Sequence, residues 1–296
     1  LDVLYCLGGN FLRTLPEPGY VARALSNVPL RVHQDLILTD QMLLDPGEDV
    51  ILLPARTRYE QEHGGTETTT ERRILFSPQI PRTHNDLPEA RSEWRILLDL
   101  AAAVHPDRAH LLHCDTGDAI RREIATIVPF YDGIQSLSKT GDQVQYGGAH
   151  LCVDGRCPTP DGRARFRVVP LPSASTSTAH RTTMETGAKA SSFLLSTRRG
   201  KQFNTLIYDE IDPLTGAARD AVFMNPDDAA RCHLKNQDPI VLSNELGRLE
   251  GRVFLAPIAR GNLQVHWPEG NVLIRRGPVD PMGGVPDYNA VVQIEP

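Results

Sequence analysis

The stretch 221–255, AVFMNPDDAARCHLKNQDPIVLSNELGRLEGRVFL, decides the fold of the C-terminal part of the chain. An apolar run leads into a short helix, Pro226 to Cys232, for which Asn225 is the predicted N-cap and Pro226 the first helical residue. Similar apolar runs lie on both sides. The predicted strands are Phe193–Thr197, Ala221–Met224, Pro239–Leu242, Gly251–Leu255 and Ala290–Ile294. Many short strands with a turn signal about every ten residues predict a small β-barrel.

The N-terminal part has a different pattern, in which apolar runs alternate with helical segments. The runs Leu1–Leu7, Leu30–Val32 and Asp49–Pro54 contain few polar residues. Such strands are typical of a parallel sheet that is covered on both faces. The predicted helices are Val21–Ser26, Pro88–Val104 and a segment from Asp115 or Thr116 to about Val128. The sequence therefore predicts an α/β domain followed by a β-barrel.

Two stretches interrupt these patterns. Arg56–Pro81 is long and polar, and we interpret it as a functional or disordered loop. Ser173–Lys189 is rich in Ser, Thr and Ala and cannot form a core, so we interpret it as a linker. The predicted domains are 1–172 for the α/β part and 190–296 for the barrel, joined by the linker 173–189.

Composition excludes several classes of protein. The 296 residues are 40% hydrophobic and 23% charged, as in a globular protein. A net charge of -6 argues against a nucleic-acid partner. The sequence contains no apolar run long enough for a transmembrane helix, so no membrane partner is expected. The chain begins inside a predicted strand, at Leu1, which suggests a piece of a longer polypeptide. A cytoplasmic location is then only the default expectation.

Cysteine and histidine spacing gives no metal site. Of five cysteines only Cys152 and Cys157 are close in sequence, and a structural or incidental role is expected for them. The cysteines form no iron–sulfur motif. His110 and His113 could share a helix face, yet no third ligand is evident, and exposed or core roles are expected for the ten histidines. No nucleophile elbow is present, which disfavours a hydrolase.

Several motifs follow one another in a fixed order. They are Gly8–Phe11, Val32–Asp40 with the strand Asp49–Pro54, Arg58–Arg73, and, in the barrel, Ser196–Thr205, Val222–Ala229, Gly270–Leu273 and Pro286–Tyr288. Together they resemble the C-terminal cofactor-binding domains of the molybdopterin oxidoreductase superfamily, most closely its formate dehydrogenase alpha-subunit-like branch. The resemblance implies a Rossmann-like third domain followed by a double-psi β-barrel.

The resemblance also implies the ligand and the partners. The cofactor would be bis-molybdopterin guanine dinucleotide with molybdenum or tungsten, and the substrate a small molecule such as formate. The first two domains of the family, with the metal-ligating residue and any iron–sulfur cluster, are not in this chain. The implied cofactor-binding residues are Gly8, Gly9, Asn10, Phe11, Asp35, Thr39, Thr197, Arg198, Lys201, Gln202, Asn204, Thr205, Asn271 and Tyr288. No residue is assigned to catalysis or to the metal, and this segment alone is expected to be inactive.

These residue types suit the chemistry, although each has a plainer explanation. Two glycines let backbone approach a phosphate closely, but Gly8-Gly9 could be an ordinary tight turn. Asp35 can accept hydrogen bonds from guanine, or it could cap a helix. The cluster Thr197–Lys201 carries three positive charges suited to phosphate, or it is a solvated loop.

Two departures from the family pattern bear on function. Asn289 follows Tyr288 where the family often has Lys, and Asn271 is followed by Val272-Leu273-Ile274 instead of an Asn-x-Leu-Thr motif. Pterin tuning or substrate type is therefore expected to differ from that of formate dehydrogenases. The alternative hypothesis is a non-catalytic module that holds the cofactor or docks to a partner without redox activity.

Overall fold

In the computed structural model of the chain, the described residues are 1–80, 87–112, 114–150, 152–157, 159–168, 192–199, 209–277 and 279–295. Two sheets and a closed barrel follow one another along the sequence. The helices are α1 (Phe11–Thr14), α2 (Pro18–Ser26), α3 (Glu93–Val104), α4 (Gly117–Ile127) and α5 (Pro226–Arg231). The strands are β1 (Val3–Leu7), β2 (Leu30–Asp35), β3 (Asp49–Pro54), β4 (Gly65–Thr68), β5 (Arg73–Ser77), β6 (Gln143–Gln145), β7 (Ser192–Arg198), β8 (Ala221–Met224), β9 (Pro239–Ser243), β10 (Arg248–Leu255), β11 (Asn262–His266) and β12 (Asn289–Ile294).

The first sheet is parallel, as the apolar runs predict, and its order is β1-β2-β3. The crossover from β1 to β2 carries α1 and α2, and α2 buries Val21 and Leu25. The predicted burial of the sheet on both faces does not hold for β3: within the described ranges its Ile51 and Leu52 side chains are 44% and 46% exposed. The parallel sheet is thus confirmed with three strands, and its outer strand is open.

The second sheet is antiparallel, has the order β4-β5-β6, and was not predicted. Strands β4 and β5 lie inside Arg56–Pro81, so the interpretation of that stretch as a loop is wrong. Its strands are short and polar on one face, which hides them in the sequence. Ile74, Ile134 and Leu137 form a small core beneath this sheet.

The two long predicted helices are present as α3 and α4, and they differ in how far the rest of the chain covers them. Helix α4 begins after Thr116, whose side chain accepts a hydrogen bond from the backbone N–H of Ala119 at 3.1 Å. Helix α3 begins at Glu93 instead of Pro88, and no residue of this helix is buried by the described part of the chain. Its Leu97 and Leu100 are 43% and 45% exposed.

The barrel is closed by six strands in the order β10-β8-β11-β7-β12-β9. Strands β7 and β11 are parallel, as are β8 and β10, and the remaining neighbours are antiparallel. If β7, β8 and β9 are exchanged with β10, β11 and β12 respectively, every strand keeps the same kind of neighbour, parallel or antiparallel. This internal twofold symmetry is that of a double-psi β-barrel. The core residues are Phe193, Leu195, Val222, Met224, Ala229, Ile240, Leu242, Val253, Leu263, Val265, Leu273 and Val292.

All five predicted barrel strands are confirmed, with small changes at their ends, and so is the helix that follows Asn225. The strand β11 was missed because its sequence, NLQVH, places polar residues between only two apolar ones. The predicted linker 173–189 lies outside the described residues, and the predicted domain limits stay predictions. In the described ranges, none of the helices is both long enough and apolar enough to cross a bilayer.

Candidate cofactor site

The loop after β1 offers open space above its backbone. Gly8 and Gly9 have φ angles of 65° and 79°, in the left-handed region that glycine adopts without a steric penalty. A Cβ atom built on either residue would meet no described atom within 4 Å. The loop also lies past the carboxyl end of a parallel strand, the edge at which open α/β sheets bind ligands. A ligand can therefore reach the backbone here.

Residues from the segment after β2 hold this loop in place. The Gln41 side chain is fully buried; its amide donates to the Gly9 carbonyl at 2.8 Å and accepts from the Phe11 N–H at 2.7 Å. Asn10 donates to Asp40 at 2.8 Å and caps α1 by accepting from the Arg13 N–H at 3.3 Å. The Asn10 side chain, a predicted cofactor ligand, thus supports the loop. Gln41 was missed, since nothing in the sequence links it to a loop thirty residues away.

Asp35 and Thr39 lie beside the same edge of the sheet. Asp35 ends β2, and its carboxylate accepts a hydrogen bond from the Leu36 N–H at 2.7 Å. It lines a cavity of about 240 Å³ together with His33 and residues of β3. Thr39 is buried, immediately before the 3₁₀ helix Asp40–Leu43. Asp35 is therefore open to a ligand, whereas Thr39 lies beneath the surface.

Two predicted barrel residues contact α1, the helix that follows this loop. Asn271 is buried in the 3₁₀ helix Glu269–Leu273, and its side-chain amide donates to the Arg13 carbonyl at 2.6 Å. The Tyr288 hydroxyl donates to the Thr14 carbonyl at 3.1 Å. The barrel and the α/β part therefore meet at the end of α1, and the two residues join them.

An ion pair extends this contact. Arg276 lies 3.3 Å from the Glu17 carboxylate and stacks over the Tyr20 ring, 3.8 Å from its centroid. The backbone N–H of Arg276 also donates to the Glu17 carboxylate at 3.0 Å. Partly exposed pairs of this kind contribute little each, so the hydrogen bonds of Asn271 and Tyr288 dominate the junction.

Arg198, a predicted phosphate ligand at the end of β7, lies on the outer face of the barrel, because its position alternates with those of the core residues Phe193 and Leu195. Its guanidinium lies 3.5 Å from the fully buried Asp212 carboxylate and 5.0 Å from the centroid of the Phe223 ring. Burial raises the pKa of Asp212, but hydrogen bonds from the Leu214 N–H and the Thr215 hydroxyl, with the charge of Arg198, outweigh it, and the pKa lies below its ordinary value. The carboxylate thus stays charged and holds Arg198.

The two residues on either side of Arg198 differ in exposure. Thr197 packs against the 3₁₀ helix Glu269–Leu273, and its N–H donates to the Tyr288 carbonyl at 3.2 Å. Arg199 is exposed and stacks over the Trp267 ring at 4.3 Å. It was not among the predicted ligands, although it belongs to the same positive cluster. The predicted ligands Lys201, Gln202, Asn204 and Thr205 lie outside the described residues.

The cysteines form no metal centre in the described ranges, where no group of three or more His, Cys, Asp or Glu side chains could hold an ion. Cys152 and Cys157 contact each other, and the hydrogen bond between the thiols raises the pKa of Cys157. The expectation that this pair has a structural or incidental role stays a prediction.

His33 is expected to make the protein sensitive to mild acid. Burial and the nearby Arg31 lower the pKa of His33 below its usual value of 6.5, against a smaller opposing effect of Asp35. Below pH 6.5 the imidazole of His33 therefore binds a proton in the unfolded chain but not in the folded chain. The free energy of unfolding falls as the pH drops from 6.5 through the pKa of His33 in the folded protein. In urea unfolding at pH 7.5 and pH 5.5, His33→Leu should lose less stability on acidification than the wild type. The exposed His105→Leu should behave as the wild type, and equal losses in His33→Leu and wild type would contradict the assignment.

The barrel matches a known family. Residues 192–292 match the family model described as Molydopterin dinucleotide binding domain. The barrel is therefore similar to this family. The matched range contains eight residues predicted as cofactor ligands from the resemblance, and that role stays a prediction: Thr197, Arg198, Lys201, Gln202, Asn204, Thr205, Asn271 and Tyr288.

Relatives extend the similarity to the α/β part. Protein YdeP of Escherichia coli (strain K12) is 28% identical over 319 residues, which cover 99% of this chain and 39% of that protein. The F420-dependent formate dehydrogenase subunit alpha of Methanocaldococcus jannaschii is 25% identical over 292 residues, which cover 92% of this chain and 39% of that subunit. The chain thus spans less than half of these relatives. The predicted relationship to the molybdopterin oxidoreductases is confirmed.

A solved structure shares the fold of the whole chain. Acetylene hydratase from Pelobacter acetylenicus superposes with a TM-score of 0.59 and 14% identity, over 99% of this chain and 44% of that chain. At this identity the similarity concerns the fold. It includes both the α/β part and the dinucleotide-binding barrel.

A glycine sets how closely the helix Glu269–Leu273 lies on the dinucleotide-binding barrel. A Cβ on Gly270 would lie 2.7 Å from Thr197 Cγ2 and 2.8 Å from Val265 Cγ2. Both neighbours are β-branched and stiff, so Gly270→Ala should cost about 1–3 kcal/mol in urea unfolding and displace Asn271. Gly19→Ala is the matched control: its Cβ would come no closer than 3.8 Å to Arg23, and alanine in a helix should be neutral or stabilising. A neutral Gly270→Ala would contradict the close packing.

Proposed function

We propose that this chain is the cofactor-holding part of a molybdenum or tungsten oxidoreductase of the formate dehydrogenase type. It would bind molybdopterin guanine dinucleotide on the surface that the α/β part and the barrel share. The metal-ligating residue and any iron–sulfur cluster would belong to the portion of the relatives that this chain does not cover.

One observation carries the proposal. Asn271 and Tyr288, predicted as cofactor ligands, donate hydrogen bonds to the carbonyls of Arg13 and Thr14 in α1, the helix that follows the Gly8-Gly9 turn. Residues expected to bind one ligand thus converge from distant parts of the sequence. A dinucleotide needs such a surface, because its phosphates, ribose and base are spread over more than one domain.

The residues present fit this cofactor. The Gly8-Gly9 turn leaves its backbone open to a phosphate, and Asp35 can accept from a guanine base. The exposed Arg199 supplies a cationic side chain at the end of β7. When bound, the metal of the cofactor would carry out electron transfer to or from the substrate. This chain would bind the nucleotide, orient it and exclude water from the pterin side.

The substrate and the compartment are separate proposals. Formate is suggested by the name of the Methanocaldococcus jannaschii relative, an F420-dependent formate dehydrogenase subunit alpha. We propose formate as the first compound to test and the cytoplasm as the compartment.

The experiment is a cofactor analysis of the full-length polypeptide from its native host. Elemental analysis is combined with oxidative release of fluorescent pterin and of GMP. The proposal predicts one molybdenum or tungsten with two GMP per polypeptide. Folded protein without metal, pterin or GMP, from a host that makes the cofactor, would overturn it.

A second candidate is a cofactor-holding module without oxidoreductase turnover. It is favoured by the similarity in fold to a protein named as a hydratase, because that fold then accompanies more than one kind of reaction. The same preparation separates the two: a loaded protein that neither oxidises formate nor reduces or oxidises an artificial electron carrier would favour the second.

A further inference from the structure

Two cysteines lie together in the segment between β6 and β7. Cys152 and Cys157 are free thiols; Cys152 is exposed and Cys157 is partly buried. A hydrogen bond joins the two thiols. Thiols in such contact need only a small movement to reach the S–S bond length of about 2.0 Å.

The backbone between the two cysteines folds into a tight turn. Residues Val153–Gly155 form a 3₁₀ helix, and the Gly155 N–H donates to the Cys152 carbonyl at 3.1 Å. Cys152 and Asp154 have φ angles of 56° and 58°, in the left-handed region that residues other than glycine seldom adopt. The chain therefore reverses direction between the cysteines, and this reversal brings the thiols together.

A second turn holds Cys157 from the other side. The Cys157 N–H donates to the Gly162 carbonyl at 2.8 Å, and the Gly162 N–H donates to the Thr159 carbonyl at 2.9 Å. The Thr159 hydroxyl also donates to the Asp161 carboxylate at 3.1 Å. Each cysteine of the pair is thus held by a hydrogen-bonded turn.

The other three cysteines of the chain lack these features. Burial raises the pKa of Cys6 and of Cys232, and a hydrogen bond to the Glu123 carboxylate raises the pKa of Cys114 to about 11. A thiol attacks a disulfide as its thiolate, so thiols of raised pKa react slowly at neutral pH. Cys152 differs from these three because it is exposed and has a second thiol in contact.

We propose that Cys152 and Cys157 form a reversible redox site, which a small-molecule disulfide such as oxidised glutathione converts from dithiol to disulfide. The Cys152 thiolate attacks one sulfur of the oxidant, expels one glutathione thiolate and becomes a mixed disulfide. The Cys157 thiolate then attacks the Cys152 sulfur and expels the second glutathione. The two protein thiols lose two protons and two electrons, and the oxidant is reduced to two glutathione thiols.

The two cysteines have different parts in this exchange. Cys152 meets the oxidant because it is the exposed thiol. Partial burial and the hydrogen bond that raises its pKa make Cys157 a poor first nucleophile, but contact with Cys152 lets it react in the second step without diffusion.

The proposed compartment sets when the site closes. In a reducing cytoplasm the pair is a dithiol, and it becomes a disulfide when the ratio of oxidised to reduced glutathione rises. Exposed disulfides are of the easily reduced kind, so the reaction reverses when that ratio falls. The exchange needs neither the metal nor the pterin of the cofactor.

The test is peptide mapping of the full-length protein after incubation with oxidised glutathione. Free thiols are then alkylated, and the protein is digested with trypsin without reduction. Trypsin cuts after Arg156, between the two cysteines, so only a disulfide keeps peptides 140–156 and 157–163 together. We expect the linked pair to replace both free peptides, and dithiothreitol to restore them.

Single serine variants separate the two steps. Cys157→Ser should stop at the mixed disulfide and keep glutathione on Cys152, with loss of the linked pair. Cys152→Ser should also lose the linked pair and should take up glutathione at Cys157 more slowly than Cys157→Ser does at Cys152. The control Cys114→Ser should form the linked pair as the wild type does, because it leaves both cysteines of the site in place.

Three results would overturn the redox site. The first is a wild type in which both peptides stay free. The second is a wild type that keeps glutathione on Cys152 without forming the linked pair. The third is a bond between two chains, seen as a dimer on a non-reducing gel, or a bond of Cys152 to another cysteine in place of Cys157.

Discussion

Asn271→Leu is expected to destabilise the junction of the two domains and to abolish cofactor retention. The Asn271 amide donates to the Arg13 carbonyl at 2.6 Å, and the residue is 2% exposed. Leucine has a similar volume but leaves that carbonyl without its donor, at a cost of about 1–3 kcal/mol. The segment Gly8–Thr14, which comprises the glycine turn and α1, would then lose this contact with the barrel. Urea unfolding of the full-length protein and its GMP content measure the two effects.

An exposed asparagine at the start of β12 provides the control for this experiment. Asn289 donates to Asp287 at 2.6 Å on the surface, so Asn289→Leu should change stability by no more than about 0.5 kcal/mol. Tyr288→Phe should show an intermediate loss, since it removes one hydroxyl hydrogen bond to Thr14. An Asn271→Leu protein with the stability and GMP content of the Asn289→Leu protein would show that the junction does not depend on this amide.

Asp212→Ala is expected to cause the largest loss of barrel stability, about 3 kcal/mol. The carboxylate is fully buried, accepts from the Leu214 N–H at 3.1 Å and the Thr215 hydroxyl at 3.0 Å, and pairs with Arg198 at 3.5 Å. Its removal leaves those donors and a largely buried guanidinium without their acceptor. Urea unfolding of the full-length protein gives the free energy.

A surface pair with the same separation is the control for Asp212→Ala. Asp220 and Arg252 are also 3.5 Å apart, but both side chains are about half exposed. Asp220→Ala should therefore cost about 0–1 kcal/mol. Similar losses for the two variants would mean that burial does not set the strength of the Arg198 pair. Normal stability but lost GMP in Asp212→Ala would instead assign Arg198 to the ligand.

The elements that could be predicted are those with a local signal. The entry to α5, with Asn225 followed by Pro226, and the apolar runs of the barrel specify their own structure. The hairpin β4-β5 could not be recognised, because Thr and Glu residues dominate β4 and the pairing with β6 joins segments about seventy residues apart. Helix α3 was recognised from the helical spacing of its apolar residues. Its packing could not be predicted, because no part of the described chain buries its apolar side.

The site was predictable only in part, because its residues act on one another over long sequence separations. Asn271 and Tyr288 were named as ligands from the resemblance, and the structure places them against the carbonyls of Arg13 and Thr14. Gln41 and Asp212 carry no local signal, since their partners are specified by the fold. His33 looks in sequence like any histidine in a strand, and its missing hydrogen bonds appear only in three dimensions.

The most direct test of the shared cofactor surface is hydrogen–deuterium exchange of the full-length protein, with and without cofactor. Cofactor-free protein is obtained from a host that cannot make the pterin. The account predicts that the backbone amides of Gly8–Thr14 and of the helix Glu269–Leu273 exchange more slowly in the loaded protein. A loaded protein in which both segments exchange at the cofactor-free rate would contradict it.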